Sequence, residues 1–334
     1  MKKFLVIQTA FTGDVVLATA LIEKLHRFFP EAQIDFLVRK GNEGLLANHP
    51  FLHETLVWNK KENKNKNLFI LLRKIRKEKY DTVINTQRFA STGILTAFSG
   101  GKEKIGFDKN PLSFLFTKKI PHELSKNLHE VERNNTLIQY LTDSSFTKPR
   151  LYPSEKNYEE ADNYRLKQFP SQPYVCMMPA SVWFTKQYPI EKWIELINIF
   201  PDQYGIFLLG GKEDASLCKE IKKQSSNKNV DILAGKLNFL SSAALMKGAA
   251  MNYTNDSAPL HFASATDAPV TAIFCSTIPA FGFYPLSSKS FIVETLEPLP
   301  CRPCSLHGQK ACPLGNFKCG YTIETSQLLN TLVA

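Results

Sequence analysis

Three stretches of the chain set carboxylates, hydroxyls and a cation where a group-transfer reaction could use them. The first is Thr12-Gly13-Asp14. The bulky run Phe4-Leu5-Val6-Ile7 before it reads as a strand buried on both faces, and Val16, Leu17, Ala20, Leu21 and Leu25 after it recur at helical spacing. Asp14 thus stands at a strand-to-helix turn, on the carboxyl edge of a predicted parallel sheet, where open α/β sheets bind ligands. A carboxylate there either caps the helix or meets a ligand.

The second stretch is Asn255-Asp256-Ser257-Ala258-Pro259-Leu260-His261. Three cap residues in a row and a proline suited to a first turn predict a helix start at a strand's end. Such a start gathers unpaired N–H groups and positive dipole potential, a natural seat for a diphosphate, and His261 lies one turn further on. The third is the loop with Ser181, Thr185 and Lys186, between an apolar run at 174–178 and the helix start at Tyr188-Pro189. Lys186 is a flexible cation there, able to neutralise phosphate. Gly210-Gly211, after the run 206–209, permits either close approach of backbone to a ligand or a tight turn. Neither a dinucleotide GxGxxG nor a P-loop GxxxxGK[ST] occurs.

Strands and helices must place these groups, and the chain alternates the two from its start. Runs at 4–7, 34–38, 55–57 and 82–85 read as strands, with helical segments at 15–29 and 68–79. A punctuated region between 144 and 173 predicts a boundary, giving domains 1–155 and 156–334. The rhythm then restarts, with strands expected at 174–178, 205–209, 230–233, 251–253 and 270–274. The predicted architecture is therefore α/β, two similar parallel-sheet halves in tandem.

Of the 334 residues, 43% are apolar, enough for two cores, and the formal net charge is +10 with a pI near 9.1. That balance favours an anionic partner: nucleic acid, a phosphorylated substrate or an acidic membrane surface. Nine Lys/Arg against three Glu fall between Phe51 and Tyr80. The helix there is expected to pack Leu68, Ile70, Leu71, Leu72 and Ile75 on the sheet, and its basic side could also face a membrane or a phosphorylated acceptor. No run reaches the roughly 20 apolar residues of a membrane span, and the first residues turn polar too soon for a signal peptide, so a cytoplasmic location is expected.

Cys301, Cys304, Cys312 and Cys319, with His307 among them, form a thiol-rich tail. Four thiols within twenty residues could close a structural zinc site opened by C-x-x-C, although the spacing of the second pair fits common sites only partly; free thiols are the competing reading. Cys176, Cys218 and Cys275 read as core or surface fillers.

Taken in order, TGDVVLATALIEKL, PASVWFTKQYP, GGKED, NDSAPLHFASA and the cysteine tail resemble the ADP-heptose:lipopolysaccharide heptosyltransferases of glycosyltransferase family 9, most of all the type that adds the second heptose. The resemblance implies a GT-B fold: two Rossmann-like domains facing across a cleft, acceptor on the first and nucleotide sugar on the second, with the last helix able to return to the first domain. It implies an inverting transfer of heptose from ADP-heptose to the Kdo/heptose-lipid A inner core, in a Gram-negative cytoplasm or at the inner face of the inner membrane. By position it makes Asp14 the general base and assigns the donor to Lys186, Ser181, Thr185, Gly210, Gly211, Glu213, Asp256, Ser257, Ala258 and His261. Ala258 stands where the family has glycine, and Val182 where it has a small hydroxyl residue. Thr12, Gly13, Arg88, Lys102 and Lys104 are candidates for the acceptor. No cofactor and no catalytic metal are expected.

The residues support the same chemistry independently. Cleaving a sugar–diphosphate bond places negative charge on the departing phosphate, which a lysine and a helix start can hold, while the incoming hydroxyl needs a base for its proton. Two other readings compete: a GT-B enzyme for another nucleotide sugar, transferase or epimerase, and a zinc-containing nucleic-acid-binding protein. The second would need a basic face with interleaved aromatics, whereas the motifs here lie at strand ends, so no nucleic-acid partner is expected.

Overall fold

The computed structural model describes residues 1–123 and 128–333. The chain divides into two compact units, Met1–Tyr152 and Pro153–Ala334. In the first, β1 (Lys3–Ile7), α1 (Thr12–Phe28), β2 (Gln33–Arg39), β3 (Glu54–Trp58), α2 (Lys64–Glu78), β4 (Thr82–Asn85), α3 (Ala90–Ala97), β5 (Glu103–Phe107), β6 (Lys118–Ile120) and α4 (Glu130–Thr136) follow one another. The six strands are all parallel, in the order β3-β2-β1-β4-β5-β6.

Pro153–Ala334 repeats the plan: α5 (Glu155–Gln168), β7 (Tyr174–Met178), α6 (Ile190–Ile199), β8 (Gly205–Leu208), α7 (Ala215–Gln224), β9 (Val230–Ile232), α8 (Phe239–Gly248), β10 (Met251–Asn255), α9 (Ala258–Thr266), β11 (Val270–Phe274), β12 (Ser290–Glu294), α10 (Lys318–Tyr321) and α11 (Thr325–Val333). Its parallel sheet runs β12-β11-β10-β7-β8-β9. Counted from each unit's own first strand, the two orders are the same. The chain leaves the first strand in one direction and returns on its other side at the fourth, so the switch point lies between β1 and β4, and between β7 and β10.

Central strands are buried on both faces: Phe4 to Ile7 and Val175 to Met177 are fully enclosed. Each such large apolar side chain contributes about 1.5–3 kcal/mol of burial. On α2, Leu68, Leu71 and Ile75 face the sheet, whereas Ile70 is 54% exposed and Phe69 64%. The expected packing of Ile70 is therefore corrected: Ile70 stands two residues from both Leu68 and Leu72, which puts it on the opposite side of the helix from the face that Leu68, Leu71, Leu72 and Ile75 share. The final helix packs on α6 and β12, and Leu328, Phe317 and Cys319 join the core around Trp193 and Tyr253.

Candidate active site

In the second unit, the loops after β7 and β10 flank the switch point. Asn255, fully buried, ties them together: its amide donates to the Pro179 carbonyl at 2.8 Å and its oxygen accepts from the Tyr188 N–H at 2.9 Å. This residue, read from sequence as one of three caps, is a crossbar between loops. Next to it, Asp256 Oδ2 accepts from Thr277 Oγ1 at 2.7 Å and pairs with Lys186 Nζ at 2.7 Å. The two charged side chains are only 15% and 7% exposed. An ammonium has three N–H donors, and Asp256 uses one.

Ser257 is the N-cap of α9 and His261 lies one turn in, buried, with Nδ1 unpartnered. Burial, and then the nearby Lys186 charge, push its pKa down to about 3, so the imidazole is neutral. Ser181 is half-buried, and its carbonyl accepts from Gln187 at 2.6 Å. Thr185 is not presented to a ligand: it is 1% exposed, and its hydroxyl accepts from Ser276 Oγ at 2.9 Å and the Gln309 N–H at 2.8 Å. After β8, Asp214 accepts from the Gly211 N–H at 2.8 Å. A Cβ on Gly210 would lie 2.7 Å from the Asp214 side chain, and one on Gly211 2.8 Å from the Glu213 carboxyl. The two glycines thus let both carboxylates fold back over the strand end, leaving Glu213 exposed.

In the first unit, Asp14 is the third residue of α1. Phe11 is the N-cap, and its N–H donates to Asp14 Oδ2 at 3.1 Å. Asp14 therefore closes the helix start from inside the first turn. Gly13 is buried, and Thr12 donates to Asn42 at 3.1 Å. Basic groups stand on both sides of Asp14 at the carboxyl edge. After β2 and β3, Arg39 stacks on Phe11, with its pKa lowered by burial against the pull of Asp14, and Lys60 donates to the Thr9 carbonyl and hydroxyl, both at 2.9 Å. Burial, with Arg39 and Lys64 adding like charge, pushes Lys60 down to about 8. After β4 and β5 stand Arg88 and Lys109; their charges, with that of Arg133 on α4 and against the pull of Asp108, add to the burial that lowers the pKa of His122.

The sequence matches the profile of glycosyltransferase family 9 (heptosyltransferase) over residues 68–312. The chain belongs to this family. Lipopolysaccharide heptosyltransferase 3 of Escherichia coli is 27% identical over 281 residues, covering 80% of this chain and 82% of that protein. The crystal structure of a family 9 glycosyltransferase from Veillonella parvula superposes with a TM-score of 0.85 at 21% identity, covering 99% of this chain and 97% of that one. E. coli ADP-heptose lps heptosyltransferase II gives 0.83 at 20% identity, over 100% and 98%. The fold is GT-B, and the protein is a glycosyltransferase.

Within this family 9 enzyme, two of the expected acceptor residues lie elsewhere. Lys102 precedes β5 at the amino edge of the sheet, paired with Asp81 at 2.7 Å, and Lys104 is the second residue of that strand. Arg88, exposed after β4, is on the carboxyl edge with Asp14. The zinc reading finds no support either. Cys301, Cys304, Cys312 and Cys319 line one cavity of about 190 Å³ and are free thiols, but no group of three or more His, Cys, Asp or Glu among the described residues is placed to hold a metal ion. Burial raises the Cys304 thiol and pushes that of Cys319 up to about 12, with the neighbouring cysteines adding to both.

Sequence reading overlooked Glu130 and Arg133 on α4, which packs on α1. Their side chains pair at 2.8 Å, Arg133 being 2% exposed. Burial pushes the Glu130 pKa up to about 7 despite Arg133, and Asp14 adds to the rise. The signal was present as an i, i+3 charge pair in His-Glu-Val-Glu-Arg.

Proposed function

We propose that this enzyme transfers a heptose from ADP-heptose to the lipopolysaccharide inner core, with inversion and without a cofactor. The observation that carries the reading is the Lys186–Asp256–Thr277 set beside the start of α9, at the switch point of the second sheet. Lys186 and the α9 N–H groups hold the diphosphate as the anomeric C–O bond breaks and its electron pair leaves with ADP. Asp14 accepts the proton of the acceptor hydroxyl as its oxygen bonds to the anomeric carbon. The neutral His261 and the exposed Glu213 serve the donor, Glu213 at its adenosine end. The name of the solved E. coli relative supports this donor and acceptor class.

Arg39, Lys60 and Arg88 meet the acceptor's anionic groups, and the exposed Phe69 and Ile70 of the basic helix α2 rest on the inner face of the inner membrane. Among the described residues no helix is long and apolar enough to cross a membrane. Of the acceptor positions we assign the second heptose, on the cysteine tail.

Isothermal titration with ADP, ADP-heptose and UDP-sugars tests the donor reading. Selective ADP-heptose binding, weakened in Lys186→Ala and retained in Asp14→Asn, is expected; binding of no adenine nucleotide refutes it. Turnover on lipopolysaccharide acceptors bearing none, one or two heptoses then fixes the position.

A further inference from the structure

The cysteine-rich segment 301–319 has no part in the transfer chemistry, yet Trp183, Phe184, Thr185 and Lys186 of the loop after β7 lie against it. Its root is fixed to the end of β11: Arg302 donates to the carbonyls of Cys275 at 2.7 Å and Thr277 at 2.8 Å, and the Cys304 N–H donates to the Ser276 carbonyl at 3.1 Å. From there it reaches the loop as a short two-way ladder. The Thr185 N–H donates to the Gln309 carbonyl at 3.1 Å, and the Gln309 N–H returns to the Thr185 hydroxyl at 2.8 Å. Phe317 packs on Phe184 with ring centroids 5.0 Å apart. Gly308, at φ +80°, lies against the lysine itself: a Cβ there would stand 2.8 Å from Lys186 Cγ and 3.0 Å from Trp183 Cβ.

We propose that segment 301–319 is a strap that aims Lys186 at the donor diphosphate, with Gly308 and Thr185 as its positioning residues. The inference rests on the assignment of Lys186 to that diphosphate. A lysine has four rotatable side-chain bonds, and holding its stem against a Cβ-free backbone limits the positions of its ammonium before the donor arrives. Beyond its contact with Lys186, Gly308 is in the left-handed region that only glycine enters freely, so the contact depends on that residue. The strap's own thiols, at 301, 304, 312 and 319, line a small cavity and act as packing groups.

The test is donor affinity, by titration with ADP, in the full-length chain. Gly308→Ala is expected to weaken ADP binding about ten-fold or more, the scale of losing one charge-assisted hydrogen bond. Gly315→Ala is the control: it is also left-handed, at φ +69°, and its Cβ would meet nothing within 4 Å. It carries the same backbone strain and should bind ADP as wild type. In a Lys186→Ala background, Gly308→Ala should add little, a coupling that a merely structural role would not produce. If Gly308→Ala does not fold, Thr185→Val should weaken ADP binding while Thr185→Ser restores it. A folded Gly308→Ala protein with wild-type ADP affinity, or equal losses from Thr185→Val and Thr185→Ser, overturns the strap. If Lys186→Ala itself leaves ADP binding unchanged, the donor assignment falls first.

Discussion

The edge of the second sheet and the edge of the first hold charge in different ways. Around Lys186, every polar partner is buried and spoken for: Asp256 is gripped by Thr277, Asn255 bars the two loops together, and Thr185 locks the lysine's loop from behind. Around Asp14 the charges are spread over strand ends, loops and α4 on both sides, from buried Arg133 to exposed Arg88, with the exposed aromatic rings of Phe11 and Phe89 among them. The contrast matches two recognition problems. On the proposed function, the donor diphosphate is one compact anion that a preorganised set can fit, whereas a large, multiply anionic acceptor calls for dispersed cations.

Breaking the contrast should be easiest at Asp14. Asp14→Asn is expected to lower kcat by about a thousand-fold or more while ADP affinity changes by less than about two-fold, because base and donor groups belong to separate units. Retained turnover would remove the base from Asp14. On the donor side, Thr277→Val takes away one of the two groups holding Asp256 and should weaken ADP binding roughly five-fold, the value of one hydrogen bond. Titration of that variant with ADP tests whether the buried set works as a unit.

Lys60 sharpens the acceptor side. Its folded pKa of about 8 lies below the ordinary 10.5, so its charge is lost as pH rises through 8. The acceptor KM should therefore climb a few-fold between pH 7 and 9, and Lys60→Arg should flatten the rise. Stability takes the opposite sign, since the cost of burying the charged amine is relieved between 8 and 10.5.

A separate effect lies in pH-dependent stability, where the two halves differ in sign. Glu130, raised from 4.5 to about 7, makes the folded state bind the extra proton, so its contribution falls as pH rises from 4.5 to 7 and is level above. His261, lowered from 6.5 to about 3, makes the folded state bind fewer, so its contribution rises from pH 3 to 6.5. Urea melts of Glu130→Gln against wild type should show the variant losing relative stability towards pH 5, by up to about 3 kcal/mol compared with pH 8. A constant difference between the two pH values would show that Glu130 does not titrate as its burial demands.

The central strands were legible because burial on both faces leaves unbroken apolar text, as in Phe4 to Ile7 and Tyr174 to Met178. Strands β5, β6 and β12 were not, since Glu-Lys-Ile-Gly-Phe, Lys-Lys-Ile and Ser-Phe-Ile-Val-Glu carry the charges and hydroxyls of strands at or beside a sheet edge. Asp256 could be found because it follows a strong strand directly, and Asp14 and Lys186 because each lies in the segment between a strong strand and the body of the helix that follows it. Thr277, Glu130 and Lys60 reach their sites through folding, over sequence distances that no local pattern spans. Lys102 misled for a related reason: a lysine before a strand and one after it read alike, yet they stand at opposite ends of the sheet.

The shared strand order of the two sheets has a consequence for how such enzymes diversify. Each unit closes its own hydrogen-bond ladder and its own core, and the joint at Tyr152-Pro153 falls between them. A crossover between two related genes at that joint exchanges one complete half for another and leaves no strand without its neighbour. Recombination of whole halves can thus replace one unit while the other is inherited intact.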